Sequence, residues 1–127
     1  MIIDQVQNDT YLKATIDGET FYVKDPIYSP AGEMITVTAN SKDKSQKIRI
    51  AIEYSKGPAT YTLGKDKGTM IYTKAKVHWI VSKKRGEGTI TLTEEGDYLT
   101  GKFSFTGTEN DKTEKQITDG EFRVLKK

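Results

Sequence analysis

Cysteine is absent from this chain of 127 residues, and histidine and tryptophan each occur once. The absence of cysteine excludes disulfides, thiolate metal sites and a lipid-bearing thiol within the sequence as given. It leaves the redox compartment open, because a mature exported domain without disulfides has the same composition as a cytosolic one. No serine or cysteine stands in a recognisable nucleophile motif. We therefore predict a protein that is not an enzyme, with no catalytic residue, no cofactor and no metal site.

Long apolar runs are missing as well, so the sequence predicts no transmembrane segment. The first residues, Met1-Ile2-Ile3-Asp4-Gln5, lack the basic start and apolar centre of a signal peptide and contain no lipobox cysteine. Two interpretations follow. Either the protein is cytosolic, or the initial methionine was added to a mature exported sequence.

Charge is abundant but nearly balanced, with 20 Lys and Arg against 18 Asp and Glu. Such a balance is typical of a soluble globular surface. Only Arg49, Arg85 and Arg123 supply the planar guanidinium that favours base edges and phosphates, so we expect no nucleic-acid partner. The length fits one domain. We assign it to residues 10–127, after an N-terminal tail at residues 1–9.

Apolar and polar residues alternate with a period of two along most of the chain, which predicts an all-β protein. In the first hairpin, residues 11–16 and 20–24 alternate on either side of the two-residue loop Asp17-Gly18. A loop of that length fixes the cross-strand register. The predicted pairs are Ile16 with Glu19, Ala14 with Phe21 and Leu12 with Val23.

Residues 25–32 hold two prolines and a glycine, so we predict a crossing loop there. A second hairpin is predicted from Met34–Ala39 and Lys47–Tyr54, with Ile35, Val37, Ala39, Ile48, Ile50 and Ile52 facing inward. Further strands are predicted at 60–64, 70–72, 76–82, 88–93, 98–105 and 114–125.

The C-terminal third predicts a third hairpin. With residues 94–97 as the turn, Leu92 would oppose Leu99, Ile90 would oppose Gly101, and Gly88 would oppose Phe103. A large ring over a cross-strand glycine fills the space of the missing side chain. In the last strand, Asp119-Gly120 predicts either a tight turn or a bulge.

About eight to ten short antiparallel strands predict a single β-sandwich or flattened barrel. The alternative is a lipocalin-like up-and-down barrel that carries a small apolar ligand. That alternative would show an apolar void lined by Tyr61, Trp79 and Phe103. The helical lid of fatty-acid-binding barrels has no counterpart, because Lys24–Gly32 is too short and too rich in proline.

Five segments resemble a family of small secreted or lipoprotein-anchored proteins of unknown function from Bacteroidetes. They are KATIDGETF at 13–21, TYTLG at 60–64, GEGTITLT at 86–93, LTGKFSF at 99–105 and ITDGEF at 117–122. The family commonly has glycine where this chain has Ala59, and its members usually begin with an export signal and a lipid-bearing cysteine. The resemblance implies an exported all-β domain, periplasmic or at the cell surface, and it implies no active-site residues.

Tyrosine is frequent, with seven in the chain, and exposed rings are common on β surfaces that bind sugars or proteins. We predict Tyr11, Tyr22, Tyr28, Tyr72 and Tyr98 on outer faces or loops. The first-hairpin register places Tyr22 diagonal to Tyr11 and opposite Lys13, which predicts an exposed aromatic stripe. The candidate ligand-binding residues are Tyr11, Tyr22, Tyr72 and Trp79.

Trp79 lies within a basic cluster that also surrounds Tyr72 and His78. Such a cluster can bind anionic glycans or single strands, but lysines on outer strand faces also discourage aggregation. Trp79 shares its parity with Val77 and Val81, so we favour a core position for its ring. The basic residues are Lys65, Lys67, Lys74, Lys76, Lys83, Lys84 and Arg85.

Two further features suggest chemistry and are better explained by structure. His78 lies in a strand between Val77 and Trp79, so we expect an outward-facing or half-buried strand residue. Residues 109–114 concentrate the oxygen ligands that calcium prefers, but Lys112 would oppose the cation, which favours a polar loop.

Three functional classes remain. The first is a binding module for a glycan, a peptide or a small ligand. The second is a structural or protein-interaction domain of the cell envelope. The third, an enzyme, would need convergent titratable groups in a cleft. We rank the classes in that order, so that the expected partners are a glycan, a peptide or another protein.

Overall fold

The computed structural model describes residues 10–53, 59–63, 68–82, 86–109 and 113–126. The predicted N-terminal tail lies outside these residues. Eleven β-strands and no helix occur in the described part of the chain. The strands are β1 Tyr11–Ile16, β2 Glu19–Lys24, β3 Ile27–Ala31, β4 Met34–Asn40, β5 Gln46–Glu53, β6 Ala59–Leu63, β7 Gly68–Lys74, β8 Val77–Val81, β9 Glu87–Glu95, β10 Tyr98–Glu109 and β11 Thr113–Leu125.

The strands form one strongly curled antiparallel sheet, a half-barrel, and this confirms the predicted fold class. Its main path has the order β2-β1-β11-β10-β8-β7-β5-β4-β3. The sheet branches at the long strand β10, because β9 pairs with residues 98–106 and β8 pairs near Thr108. Strand β6 then pairs with β9. Of the predicted architectures, the flattened barrel is the nearer one, since the described strands form a half-barrel and not two stacked sheets.

The core lies inside the curl and consists of the inward members of each alternating strand. The side chains of Leu12, Ile48, Ile50, Ile90 and Phe122 each expose 1% or less of their surface. All six residues predicted to face inward from the second hairpin are buried. Period-two alternation therefore reports correctly which face of these strands packs.

The first hairpin has the predicted register, with Ile16 opposite Glu19, Ala14 opposite Phe21 and Leu12 opposite Val23. Asp17 and Gly18 form the turn with φ of 49° and 88°. Positive φ at both central residues is the geometry whose twist matches the flanking strands. Local turn chemistry was therefore sufficient to fix this register.

The prediction of a loop over residues 25–32 is wrong, because Ile27–Ala31 forms β3 and pairs with β4. Strand β3 ends the main path of the sheet, so β4 is its one partner along that path. A proline on an edge strand is tolerated because its missing N–H need not donate to a ladder. Pro30 lies in β3 opposite Ile35, which is consistent with this exception.

The predicted register of the third hairpin is also wrong. Leu92 opposes Gly101, Ile90 opposes Phe103 and Gly88 opposes Phe105, a shift of two residues. Glu95 pairs with Tyr98, so the turn is the two-residue loop Gly96-Asp97 rather than residues 94–97. Since a shift of two leaves the alternation unchanged, the inward faces were predicted correctly although the partners were not.

Rings do lie over glycines, but in another pair of strands. Phe122 of β11 opposes Gly101 of β10, and Phe103 of β10 opposes Gly120 of β11. A Cβ added to either glycine would meet the opposing ring. Each strand thus carries a Gly-x-Phe motif whose ring covers the glycine of the other strand. The centroids of the Phe103 and Phe122 rings are 6.4 Å apart.

The Asp119-Gly120 pair forms a bulge, which was one of the two predicted options. Register shifts occur on both sides of β11, so two of its residues take the place of one in β1 and in β10. Asp119 has a φ of 51°. Consequently Ile117 and Gly120 both face the core, whereas Thr118 and Asp119 are both exposed. The bulge changes the parity of β11 partway along its length.

Gly101→Ala should lower the free energy of unfolding by about 1–3 kcal/mol, because the new methyl group would overpack the Phe122 ring. Phe122→Leu replaces that ring with a smaller aliphatic side chain. It should therefore cost less stability in the Gly101→Ala background than in the wild type. Urea unfolding of the two single variants and the double variant measures this coupling. Lys102→Ala, an outward change on the same strand, should stay within about 0.5 kcal/mol. Additive effects of the two core substitutions would contradict the proposed contact.

Candidate functional site

The four predicted site residues form two aromatic pairs on opposite faces of the sheet. Tyr11 and Tyr22 stack on the outer face with ring centroids 6.3 Å apart. Tyr72 and Trp79 stack on the inner face with centroids 5.6 Å apart. The structure therefore brings them together two by two rather than as one site.

The expectation that Tyr72 lies on an outer face or loop is wrong, because only 1% of its surface is exposed. Its hydroxyl donates to Gln46 Oε1 at 2.7 Å. Burial, and then the negative charges of Asp17 and Glu19, raise the pKa of the Tyr72 phenol. Met70, two residues earlier, is also buried. That shared parity was the signal in the sequence for an inward ring.

Trp79 is buried too, as its parity with Val81 predicts. The indole Nε1 donates to Thr113 Oγ1 at 3.0 Å, and Lys115 Nζ lies 5.1 Å from the ring centroid. Lys115 also pairs with Asp17 at 2.9 Å. Trp79 thus fills the core at one end of the half-barrel, where a polar cluster covers its edge.

The Tyr11–Tyr22 pair, which we call the tyrosine pair, has the predicted arrangement. Lys13 opposes Tyr22 across the first hairpin. The two rings are inclined by only 15°, and Tyr22 exposes 56% of its surface. Tyr22 is thus a flat, solvent-accessible ring on β2, the strand that ends the main path of the sheet beside β1.

Tyr11 is fixed in place by β11. Its hydroxyl donates to Glu121 Oε2 at 2.6 Å, and Lys13 Nζ lies 5.7 Å from its ring centroid. Burial, then the hydrogen bond to Glu121, raises the pKa of Tyr11 to about 12. The phenol therefore stays protonated and donates at any ordinary pH, which holds the stacking partner of Tyr22 still.

A polar groove adjoins the tyrosine pair on the outer face of β1, β11, β10, β9 and β6. It consists of two depressions, of about 540 Å³ and 380 Å³, that share Thr89 and Ser104. We call it the hydroxyl groove. Its other outward-facing side chains include Lys13, Thr62, Lys102, Thr118, Asp119 and Glu121.

The bulge and the Gly-x-Phe motifs place the charged side chains of this groove. Lys102 and Glu121 are the middle residues of the two motifs and oppose each other across β10 and β11. Because their neighbours face the core, these two side chains face outward. Asp119 joins them only because the bulge turns it out. The groove therefore offers charges of both signs beside hydroxyl groups.

Sequence reasoning missed Lys102, Glu121 and Asp119, as well as a neighbouring contact in which Arg123 Cζ lies 4.2 Å from the Tyr98 ring centroid. Alternation alone places most of these side chains outward. What it cannot supply is the pairing of β1 with β11, which joins residues more than 100 positions apart. No local signal in the chain specifies that neighbour.

The remaining chemical candidates have ordinary surroundings. His78 is exposed, as expected, and its Nδ1 lies 2.9 Å from Thr73 Oγ1. Thr113 Oγ1 donates to Glu109 Oε1 at 3.1 Å, and the middle of the candidate calcium loop, residues 110–112, lies outside the described residues. In the described part of the chain, no three His, Asp or Glu side chains are grouped to hold a metal ion. The same described residues contain no helix long and apolar enough to cross a membrane.

Comparison with known families gives a match over most of the chain. The model of a domain of unknown function, DUF6252, matches residues 8–125. The chain belongs to the DUF6252 family. Comparison with curated proteins and with solved structures gave no match. DUF6252 membership thus supports the resemblance to a family of unknown function, and it transfers no site residue to the tyrosine pair or to the groove.

Tyr11→Phe should lower the free energy of unfolding at neutral pH by about 1 kcal/mol, since it removes a hydrogen bond to a charged, part-buried acceptor. It should also change the alkaline response. In the wild type, the unfolded chain ionises Tyr11 near pH 10 while the folded chain keeps the proton up to about pH 12. The contribution is complete below pH 10 and is lost as the pH rises to about 12.

Urea unfolding at several pH values measures both effects. Tyr22→Phe, which also removes one phenol but leaves the Tyr11–Glu121 hydrogen bond intact, is the matched control. If Tyr11→Phe shows the same decline between pH 10 and 12 as the wild type, Tyr11 is not the group responsible.

Proposed function

We propose that this domain is a non-enzymatic glycan-binding module that uses the tyrosine pair and the hydroxyl groove. The observation that carries the proposal is the exposed Tyr22 ring, which stacks on a Tyr11 ring held by Glu121. A sugar ring presents apolar C–H groups on one face and hydroxyls at its edge. A fixed aromatic surface beside polar side chains complements both features.

The groove supports the polar half of that recognition. Thr62, Thr89, Ser104 and Thr118 supply hydroxyls that donate and accept, and Asp119 and Glu121 supply acceptors. Lys13 and Lys102 supply donors on the same surface. This mixture suits a ligand with many hydroxyl groups better than it suits an apolar one.

A peptide added as an extra strand is a weaker proposal for this surface. Strand addition needs unpaired backbone N–H and C=O groups at a sheet edge. Here β1 lies between β2 and β11, and β11 lies between β1 and β10. The backbone beneath the groove is therefore already paired. Strand β2, which carries Tyr22, is instead at the end of the main path, and a peptide strand added there would leave the hydroxyl groove unused.

Carriage of a small apolar ligand inside the barrel is likewise less well supported. Of the side chains expected to line a void, Trp79 stacks on Tyr72, and Phe103 lies 6.4 Å from both Phe105 and Phe122. Tyr61 packs against the same core. These contacts favour a packed core over a ligand-filled void.

Export to the periplasm or the cell surface, and an origin in Bacteroidetes, belong to the same proposal. They rest on the resemblance of the five strand and turn segments, and they place the domain where polymeric glycans are abundant. A structural or protein-interaction domain of the envelope is the alternative role for the same surface. Binding measurements distinguish the two roles.

Binding to an array of neutral oligosaccharides should detect a ligand for the wild type. Tyr22→Ala should then weaken that binding about tenfold, because about 1–2 kcal/mol of apolar contact is lost. Tyr22→Phe keeps the ring and should retain most of the affinity. Isothermal titration with the best oligosaccharide measures both effects.

Ile27→Ala is the matched control. Ile27 lies on the edge strand β3 and exposes 57% of its surface, which is nearly the same as the 56% of Tyr22. It should leave glycan binding unchanged. Equal affinities for the wild type and Tyr22→Ala, or an equal loss with Ile27→Ala, would reject the tyrosine pair as the binding surface.

A further inference from the structure

A second groove lies where the β4–β5 loop approaches the β7–β8 turn. Its charged lining consists of Lys44, Lys47, Lys74 and Lys76, beside His78. We call it the basic groove. It has a volume of about 530 Å³ and is completed by neutral polar residues such as Asn40, Ser45 and Thr73. Lys44, Lys74, Lys76 and His78 are exposed.

The two turns that carry these lysines have defined conformations. Asp43 accepts hydrogen bonds from the Ser45 amide at 3.0 Å and from the Ser41 hydroxyl at 2.9 Å. The Ser45 amide bond, followed by the Ser45 and Ser41 hydroxyl bonds, lowers the pKa of Asp43 to about 2. The loop that bears Lys44 is therefore tied together from within.

The opposite wall is a tight hairpin turn. Ala75 and Lys76 have φ of 54° and 68°, which is the turn geometry that matches the twist of β7 and β8. Lys74 and Val77 pair at the base of this turn. In the next rung, Thr73 pairs with His78, and the hydrogen bond between their side chains holds the imidazole at the groove. Both walls thus present cations from fixed backbone.

The charge balance of this groove is one-sided. Its lining contains four lysines and no carboxylate. Asp43 of the β4–β5 loop stays ionised while it accepts from Ser41 and Ser45, so it offsets one of these four positive charges. Asp17, which together with Glu19 and Lys74 lines the adjoining pocket, is paired with Lys115 at 2.9 Å. The local field therefore favours an anion in a chain whose net charge is only +2.

We propose that the basic groove is a second binding site, one that takes the sulfate or carboxylate groups of an acidic polysaccharide. Lysine ammonium groups are mobile point charges that suit irregularly spaced anions. A duplex or single strand of nucleic acid is a poorer match, because no arginine and no exposed aromatic ring lines the groove. A membrane surface is also a poorer match, because the groove contains none of the large apolar residues that are exposed in the described part of the chain, namely Tyr22, Ile27, Met34 and Leu125.

Fluorescently labelled dextran sulfate tests the proposal, with unsulfated dextran as the probe that differs only in charge. The wild type should bind dextran sulfate and not dextran, and the affinity should fall as salt rises toward about 0.15 M. Lys44→Gln and Lys76→Gln together should weaken binding about tenfold, and each alone about threefold. Both residues are exposed turn positions, so urea unfolding should show little change.

Lys24→Gln is the matched control for each single variant, because it removes one exposed lysine from β2, away from the groove. It should leave binding of dextran sulfate unchanged. An equal loss with Lys24→Gln would mean that net charge alone causes the weaker binding, and it would overturn the proposed site. Failure of the wild type to bind dextran sulfate would also overturn it. Tighter binding of polycytidylate than of dextran sulfate would assign the groove to nucleic acid and also overturn the proposal.

This inference stands apart from the glycan site. Neutral oligosaccharides report on the tyrosine pair, whereas the difference between dextran sulfate and dextran reports on the lysines. Either site can therefore fail its test while the other passes.

Discussion

The reciprocal contact between two Gly-x-Phe motifs is the constraint on which the rest of this structure depends. Phe122 lies over Gly101 and Phe103 lies over Gly120, so each strand supplies the ring that fills the space left by the other's glycine. A slip of two residues in one direction would set Phe103 against Phe122, and a slip in the other direction would set Gly101 against Gly120. The alternation would be preserved, yet the core would be overfilled at that rung in the first case and empty there in the second. The register of β10 with β11 is thus specified by shape and not only by polarity.

That register also determines the outer surface, because a side chain that cannot face the core must face the solvent. The middle residues of the two motifs, Lys102 and Glu121, become neighbours in the hydroxyl groove, and Glu121 then accepts the hydrogen bond from Tyr11 that steadies the tyrosine pair. The bulge at Asp119 has a similar double role. It allows both Ile117 and Gly120 to face the core, although they are three residues apart, and it exposes Thr118 and Asp119 beside the groove. The pairing of β10 with β11 therefore determines both the packing of the core and the side chains of the candidate binding surface.

How far the sequence could predict this fold depends on the range over which each signal acts. The Asp17-Gly18 turn is local, so the first hairpin was predicted residue by residue. In the third hairpin the faces were correct but the partners were not, since Gly96-Asp97 closes a shorter turn and a shift of two is invisible to alternation. Strand β3 was missed because Pro30 argues against a strand unless the strand is at an edge, and edge position is a property of the whole sheet. Tyr11 and Tyr22 were placed correctly from the hairpin alone, whereas their partner Glu121 required the pairing of the two ends of the chain.

Aromatic side chains pack inside the described half-barrel. Tyr72, Trp79, Phe103 and Phe122 belong to one cluster of buried residues, which favours the outer face and the ends of the half-barrel as the places where a ligand would bind. The two proposed binding surfaces there differ in the interactions that would hold a ligand. The tyrosine pair and the hydroxyl groove would act by contact and hydrogen bonding, which salt affects little, whereas the basic groove would act by charge, which salt screens. A neutral stretch and an acidic stretch of one polymer could engage the two surfaces together. The affinity would then exceed that of either site only if the polymer spans the rigid sheet between them.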